Sequence, residues 1–190
     1  MSFATARPKA RGFTLIELLI VVIILAILAA IAIPQFSAST VDARNAALDA
    51  NLATIRGAIE QYRVQHNNVS PGVATAVSTA CPSGNPTGTG GANSAQALIS
   101  QLSMASNAAG ETCTVATADF RFGPYLRGGM PNEPINNRGA QADQIAITNN
   151  IGAIAPAAAT VGGWAFNTAT GQFIMNSTGD DGNGRTYAVH

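Results

Sequence analysis

Residues 11–18 read Arg11-Gly12-Phe13-Thr14-Leu15-Ile16-Glu17-Leu18, and residues 19–36 continue LIVVIILAILAAIAIPQF. Sixteen consecutive residues, Leu18 to Ile33, are apolar, and no charge follows Glu17 until Asp42. As an α-helix at ~1.5 Å per residue, Phe13 to Ile33 reaches ~31 Å, enough to span the hydrocarbon core of a bilayer. The competing reading is a buried core helix, but so long an uncharged run does not suit a small soluble domain. Arg7, Lys9 and Arg11 precede the run with no acid among them, which predicts a cytoplasmic N-terminus. Glu17 is the anomaly. A carboxylate inside a membrane segment costs roughly 2.5–3.5 kcal/mol on insertion scales and is expected to have a partner. The plainer alternative puts Glu17 at the headgroup level.

Outside this run the chain is sparsely charged. Of 190 residues only 11% are charged, while 47% are hydrophobic and 6% aromatic. A net charge of zero argues against a nucleic-acid binder, and the apolar content argues against a disordered chain. Beyond residue 12 there are 7 basic and 10 acidic residues, since three of the 10 basic ones lie before it. Cys81 and Cys113 allow one disulfide, and the absence of a CxxC or Cys/His cluster argues against zinc. No GxSxG, HExxH or P-loop pattern occurs, so no catalytic role is expected.

The block Arg11 to Leu18 resembles the class III signal of type IV prepilins and type II secretion pseudopilins. The resemblance extends over Lys9 to Phe36, including Pro34. It implies that a prepilin peptidase cuts after Gly12 and methylates the new amine on Phe13, and that Glu17 guides assembly into a filament. The physics agrees: cleavage would create a cation at Phe13, and pairing it with Glu17 of a neighbour relieves two poorly solvated charges together. Glycine at Gly12 also suits an extended substrate whose backbone must approach a protease closely. A rival site is Ala30-Ile31-Ala32, which matches the small-residue pattern of an ordinary signal peptidase and would release a soluble domain.

After Pro34, the residues Val41, Leu48, Leu52, Ile55, Ile59 and Tyr62 recur at helical spacing and predict an amphipathic stripe. The expected element is one long helix from Phe13 to about His66. Pro34 is expected to kink it or open it locally, and Arg56 with Glu60 forms an i, i+4 pair. His66-Asn67-Asn68 and Pro71-Gly72 end it. Gln96 to Leu102 is read as a short helix and Thr112 to Ala116 as a strand. Gly163 to Asn167 and Gln172 to Asn176 alternate large and small residues around a turn, which predicts a hairpin whose Trp164, Phe166, Phe173 and Met175 cover the long helix. Arg185 to Val189 is read as a final strand.

Three further stretches resemble major pseudopilins: Tyr62 to Pro71, Gly123-Pro124-Tyr125-Leu126 with Met130-Pro131-Asn132-Glu133-Pro134, and the Gly163-Trp164 hairpin. Here Glu133 interrupts the proline pair. A Cys81–Cys113 bridge is expected if the domain crosses to an oxidising compartment, with two free thiols as the alternative. Asp180-Asp181-Gly182-Asn183-Gly184 is oxygen-rich. It reads as a plain turn or, as the calcium loop of major pseudopilins implies, as Asp180, Asp181 and Asn183 holding Ca²⁺. The run lacks their full pattern, and no other cofactor is expected.

The expected fold is α+β and pilin-like, with one long N-terminal helix on a small antiparallel sheet. Residues 1–12 form a removable leader, 13–36 a hydrophobic half-helix, 37–66 an amphipathic half-helix and 67–190 a β-containing head. The expected function is a filament subunit, most like a type II secretion major pseudopilin. A type IV pilus pilin for adhesion, motility or DNA uptake is the alternative. A secreted or membrane-tethered binding domain is the alternative of another class. The resemblance implies a homopolymer of pilin-like subunits, a prepilin peptidase, an assembly ATPase and an inner-membrane platform protein as partners. The expected location is the inner membrane with the head in the periplasm, then a periplasmic pseudopilus or an extracellular pilus.

Overall fold

A computed structural model describes residues 12–190. Except for Gly12, the expected leader lies outside the described residues. Helix α1 (Leu15–Gln65) runs unbroken past Pro34. The chain divides into two units between Thr40 and Val41, and each is described by itself.

The first unit is the apolar half of α1. Its large side chains from Phe13 to Ile33 are 48–84% exposed, and no described residue covers them.

The second unit is built on the other half of α1. Leu48, Leu52, Ile55, Ile59 and Tyr62 are all buried. Each contributes roughly 1.5–3 kcal/mol by leaving water. Val41, expected on the same stripe, is 39% exposed. Arg56 does not meet Glu60. Its guanidinium donates to the carbonyls of Phe173 and His190, and Glu60 pairs with Arg63 at 3.0 Å instead. The helix ends where Asn67 and Asn68 turn left-handed, with φ of 51° and 64°. The Asn68 amide donates back to the Arg63 carbonyl. Asparagine tolerates this conformation better than most residues.

Helix α2 (Ala95–Ser103) starts at Ser94, whose hydroxyl accepts from the Ala97 amide. It buries Leu98 and Leu102 in the same core as α1. Strands β1 (Ala105–Ser106) and β2 (Thr112–Cys113) form a two-stranded antiparallel ladder. The strand expected to reach Ala116 therefore stops at Cys113.

The main sheet has three strands in the order β3 (Ile145–Thr148), β4 (Trp164–Asn167), β5 (Phe173–Met175). The expected hairpin is β4–β5, antiparallel, with Trp164 opposite Met175 and Phe166 opposite Phe173. Strand β3 joins parallel to β4, so the sheet is mixed rather than purely antiparallel. A parallel neighbour needs a long connection and leaves no tight-turn signal. Here the connection is residues 149–163, held by side-chain amides. Asn167 donates to the carbonyls of Asn150 and Gly152, and Asn176 and Gln172 accept from the amides of Ala157 and Ile154. Gly163, at φ 80°, leads into β4 where a Cβ would stand 2.2 Å from the Gln144 carbonyl oxygen, so no other residue fits. Residues 185–189 do not add a strand. Tyr187–Val189 is a 3₁₀ turn, with an isolated bridge between Asp180 and Thr186.

Candidate functional site

The candidate site is the start of α1. Gly12, Phe13 and Thr14 precede the helix with no regular structure, and Phe13 is 83% exposed. The Gly12–Phe13 bond therefore lies outside the helix and is exposed. Thr14 caps α1. Its amide and its hydroxyl both donate to Glu17 Oε2 at 2.9 Å, and the Glu17 amide donates to Thr14 Oγ1 at 3.3 Å. This reciprocal capping box satisfies orphan donors of the first turn. The spacing Thr14-Leu15-Ile16-Glu17 could have revealed it, but the apolar run that follows draws attention instead. From Leu15 to Ile33 the helix is long and apolar enough to cross a membrane.

Pro34 lies within α1 in the first unit, and the remaining expected site residues lie in the second. Cys81 and Cys113 form a disulfide with Cα atoms 5.6 Å apart, which closes a loop of sequence separation 32. The alternative of free thiols falls away. Asp180, Asp181 and Asn183 sit in a hydrogen-bonded turn. Asp180 Oδ1 accepts from the Gly182 amide, while Asp181 Oδ1 accepts from the Asn183 and Arg185 amides. Those amides, Asn183 first, hold the Asp181 carboxyl below its usual pKa, aided by His190 and Arg185. Asp181 Oδ2 faces His190 Nε2 at 3.5 Å and Arg185 Nε at 3.8 Å. Among the described residues, no group of three or more His, Cys, Asp or Glu side chains is arranged to hold a metal ion.

Two buried polar residues were not legible as such. His66 stacks on Tyr62 with ring centroids 3.8 Å apart, and its Nε2 lies 3.2 Å from Ser106 Oγ. His66 is only 3% exposed and Ser106 is 0% exposed, so this pair is sealed from any substrate. Burial also raises the pKa of the Tyr62 hydroxyl. Glu133, the residue interrupting the proline pair, is fully buried. Its Oε2 accepts from the amides of Ile135 and Asn136 and its Oε1 from that of Gly163. It ties the Pro-rich connection to the start of β4. Nearby, Trp164 Nε1 donates to the Pro131 carbonyl at 2.8 Å.

The capped, all-round apolar helix with its exposed Phe13 coincides with a recognised family signal. Residues 7–33 match the prokaryotic N-terminal methylation motif. The chain is 46% identical over 61 residues to the type IV narrow pilus major component PilA5 of Thermus thermophilus. It is 40% identical over 70 residues to the type IV wide pilus major component PilA4 of the same organism. Over its N-terminal region the chain is similar to type IV pilins. These matches cover 32% and 37% of this chain and 53% of each relative, so the chain spans about half the length of the pilins it resembles. No solved structure matches the chain. The pilin-type motif contains Gly12, Phe13 and Glu17, whereas the disulfide and the Asp180–Asp181 turn lie outside it.

Proposed function

We propose that the chain is a structural subunit of a type IV filament. One observation carries the reading: along the helix Leu15–Ile33 no residue is buried by its own chain. A bilayer can cover such a surface before assembly, and the same helix of neighbouring subunits can cover it afterwards. Prepilin peptidase would cut between Gly12 and Phe13 and methylate the Phe13 amine. Glu17 of one subunit would then accept the amine of another, which fixes axial register. The interface is heterologous and does not close, so it propagates as a fibre. The subunit works by burial and charge pairing, as a structural protein rather than an enzyme. An assembly ATPase and a platform protein belong to the same proposal.

Two filament types share this mechanism. The names of the relatives favour a pilus, and the resemblances around Gly123 to Pro134 and Gly163 to Gln172 favour a pseudopilus. Shearing cells and identifying the start of the chain by mass spectrometry separates them. A methylated Phe13 start in the sheared fraction means a surface pilus. The same start confined to the cell envelope means a pseudopilus. A chain starting after Ala32 would overturn the filament reading in favour of a released domain. Glu17→Ala is expected to lower assembly at unchanged membrane level, and normal assembly would remove the pairing argument.

A further inference from the structure

The turn from Asp181 to Arg185 carries a chemically reactive pair. Asparagine is a thermolabile residue, and Asn183 alone among the asparagines of the chain is followed by glycine. Asn183 and Gly184 are both exposed. Among the described residues, the Asn183 side chain makes no hydrogen bond and the Gly184 amide donates to no acceptor. Elsewhere in the head, the side-chain amides of Asn167 and Asn176 are engaged. The turn is tied together by Asp181. The amides of Asn183 and Arg185 donate to its Oδ1 at 2.8 and 3.1 Å, and its own amide donates to the Arg185 carbonyl at 3.0 Å. The Asp181 carbonyl accepts from Asn45 Nδ2 on α1 at 3.0 Å. The backbone length between Asp181 and Arg185 therefore decides whether the turn stays fastened. We propose that Asn183 is a site of spontaneous modification, deamidation through a cyclic imide, and that the isoaspartate it yields unfastens this turn.

The Gly184 amide nitrogen gives its proton to hydroxide and attacks Asn183 Cγ. A bond forms between that nitrogen and Cγ, the bond from Cγ to the side-chain nitrogen breaks, and ammonia leaves. Glycine suits the step because it has no Cβ to hinder a close approach of its backbone. Water then opens the imide ring. Attack at Cγ gives an ordinary aspartate. Attack at the other carbonyl carbon gives isoaspartate, whose backbone runs through Cβ and is longer by that carbon. Both products place a new carboxylate near Asp180 and Asp181. Only isoaspartate changes the spacing between the amides of residues 183 and 185, so Asp181 Oδ1 cannot keep both. The chain beyond Arg185 leads directly to Tyr187, which is buried in the main core. Loosening at Arg185 is thereby passed to the packing of the head.

The test ages the detergent-solubilised full chain at mildly alkaline and mildly acidic pH. Mass spectrometry of peptides locates each amide-to-acid conversion. Isoaspartate is read by methyl transfer from S-adenosylmethionine with a protein isoaspartyl methyltransferase. Conversion is expected at Asn183 ahead of every other asparagine, faster at alkaline pH, with methyl acceptance that Asn183→Gln abolishes. The methyl-accepting fraction, separated by ion exchange, is expected to melt below fresh wild type, because a hydrogen bond to Asp181 is lost. Fresh Asn183→Asp adds the charge without lengthening the backbone and is expected to melt with wild type. Retention of the Asn183 amide in the aged native protein would overturn the site. An isoaspartate fraction that melts with fresh wild type would overturn the unfastening. A fresh Asn183→Asp that melts as low as the aged fraction would assign the loss to charge and overturn the backbone-length argument.

Discussion

The apolar half of α1, from Leu15 to Ile33, and the stretch from Leu48 to Tyr62 belong to one continuous helix but meet opposite needs. In the first, every face is apolar and exposed. In the second, a single stripe is apolar and fully covered by α2, β4 and β5. Helical conformation is the same in both, so conformation does not decide what the surface requires. A one-sided stripe is satisfied by its own chain. A helix that is greasy all round is too wide a surface for one small head to cover and calls for a membrane or other copies.

That contrast breaks most clearly with truncations in the two halves. Trp164→Ala, in the core over the helix, is expected to destabilise the detergent-solubilised protein by about 3–5 kcal/mol in denaturant titration. Leu25→Ala in the exposed half should change that midpoint by less than about 0.5 kcal/mol. Equal losses would mean that the two halves are not independent. The disulfide comes next. Cys81→Ala with Cys113→Ala removes a constraint worth about 3–4 kcal/mol in the chain-entropy model, with no effect on membrane insertion.

Glu133→Ala should cost about 1–3 kcal/mol, because three amides lose their acceptor. A neutral result in thermal melting would show that water replaces the carboxylate. The smallest effects sit at Asp181. Its pKa is lowered in the folded state, so its contribution is present above the unfolded value of about 4 and is lost as pH falls through the lower folded value. Melting temperature should fall more steeply below about pH 4 in the wild type than in Asp181→Asn. Millimolar calcium should leave the wild-type midpoint unchanged, because a cation would have to displace His190 and Arg185 from Asp181. A clear rise with calcium would make this loop a metal site.

Much of the architecture is legible in the residues themselves. The α1 stripe, the Asn67–Asn68 stop, α2 and the β4–β5 hairpin are all local patterns in which periodicity and turn chemistry act over a few residues. What escapes the sequence is non-local. Strand β3 is four residues long, and its partner lies across residues 149–163. Val41 has the right spacing for the stripe, yet nothing covers it well. Arg56 reaches past Glu60 because two backbone carbonyls from distant segments converge on it. Glu133 looks like a surface charge until three backbone amides surround it.

By itself, the sequence determined that the first half of the long helix is apolar on all sides, that Phe13 stands just before it, and that Glu17 interrupts its start. These are properties of order and spacing along one segment, and no tertiary contact alters them. Only the tertiary structure decided where the sparse polar groups of the head go. Glu133, His66 and Asp181 owe their roles to partners that folding brings in from segments far away or from the turn of their own loop. A carboxylate or an imidazole is cheap to bury only when such donors or acceptors arrive, and the amino-acid order does not say which ones will.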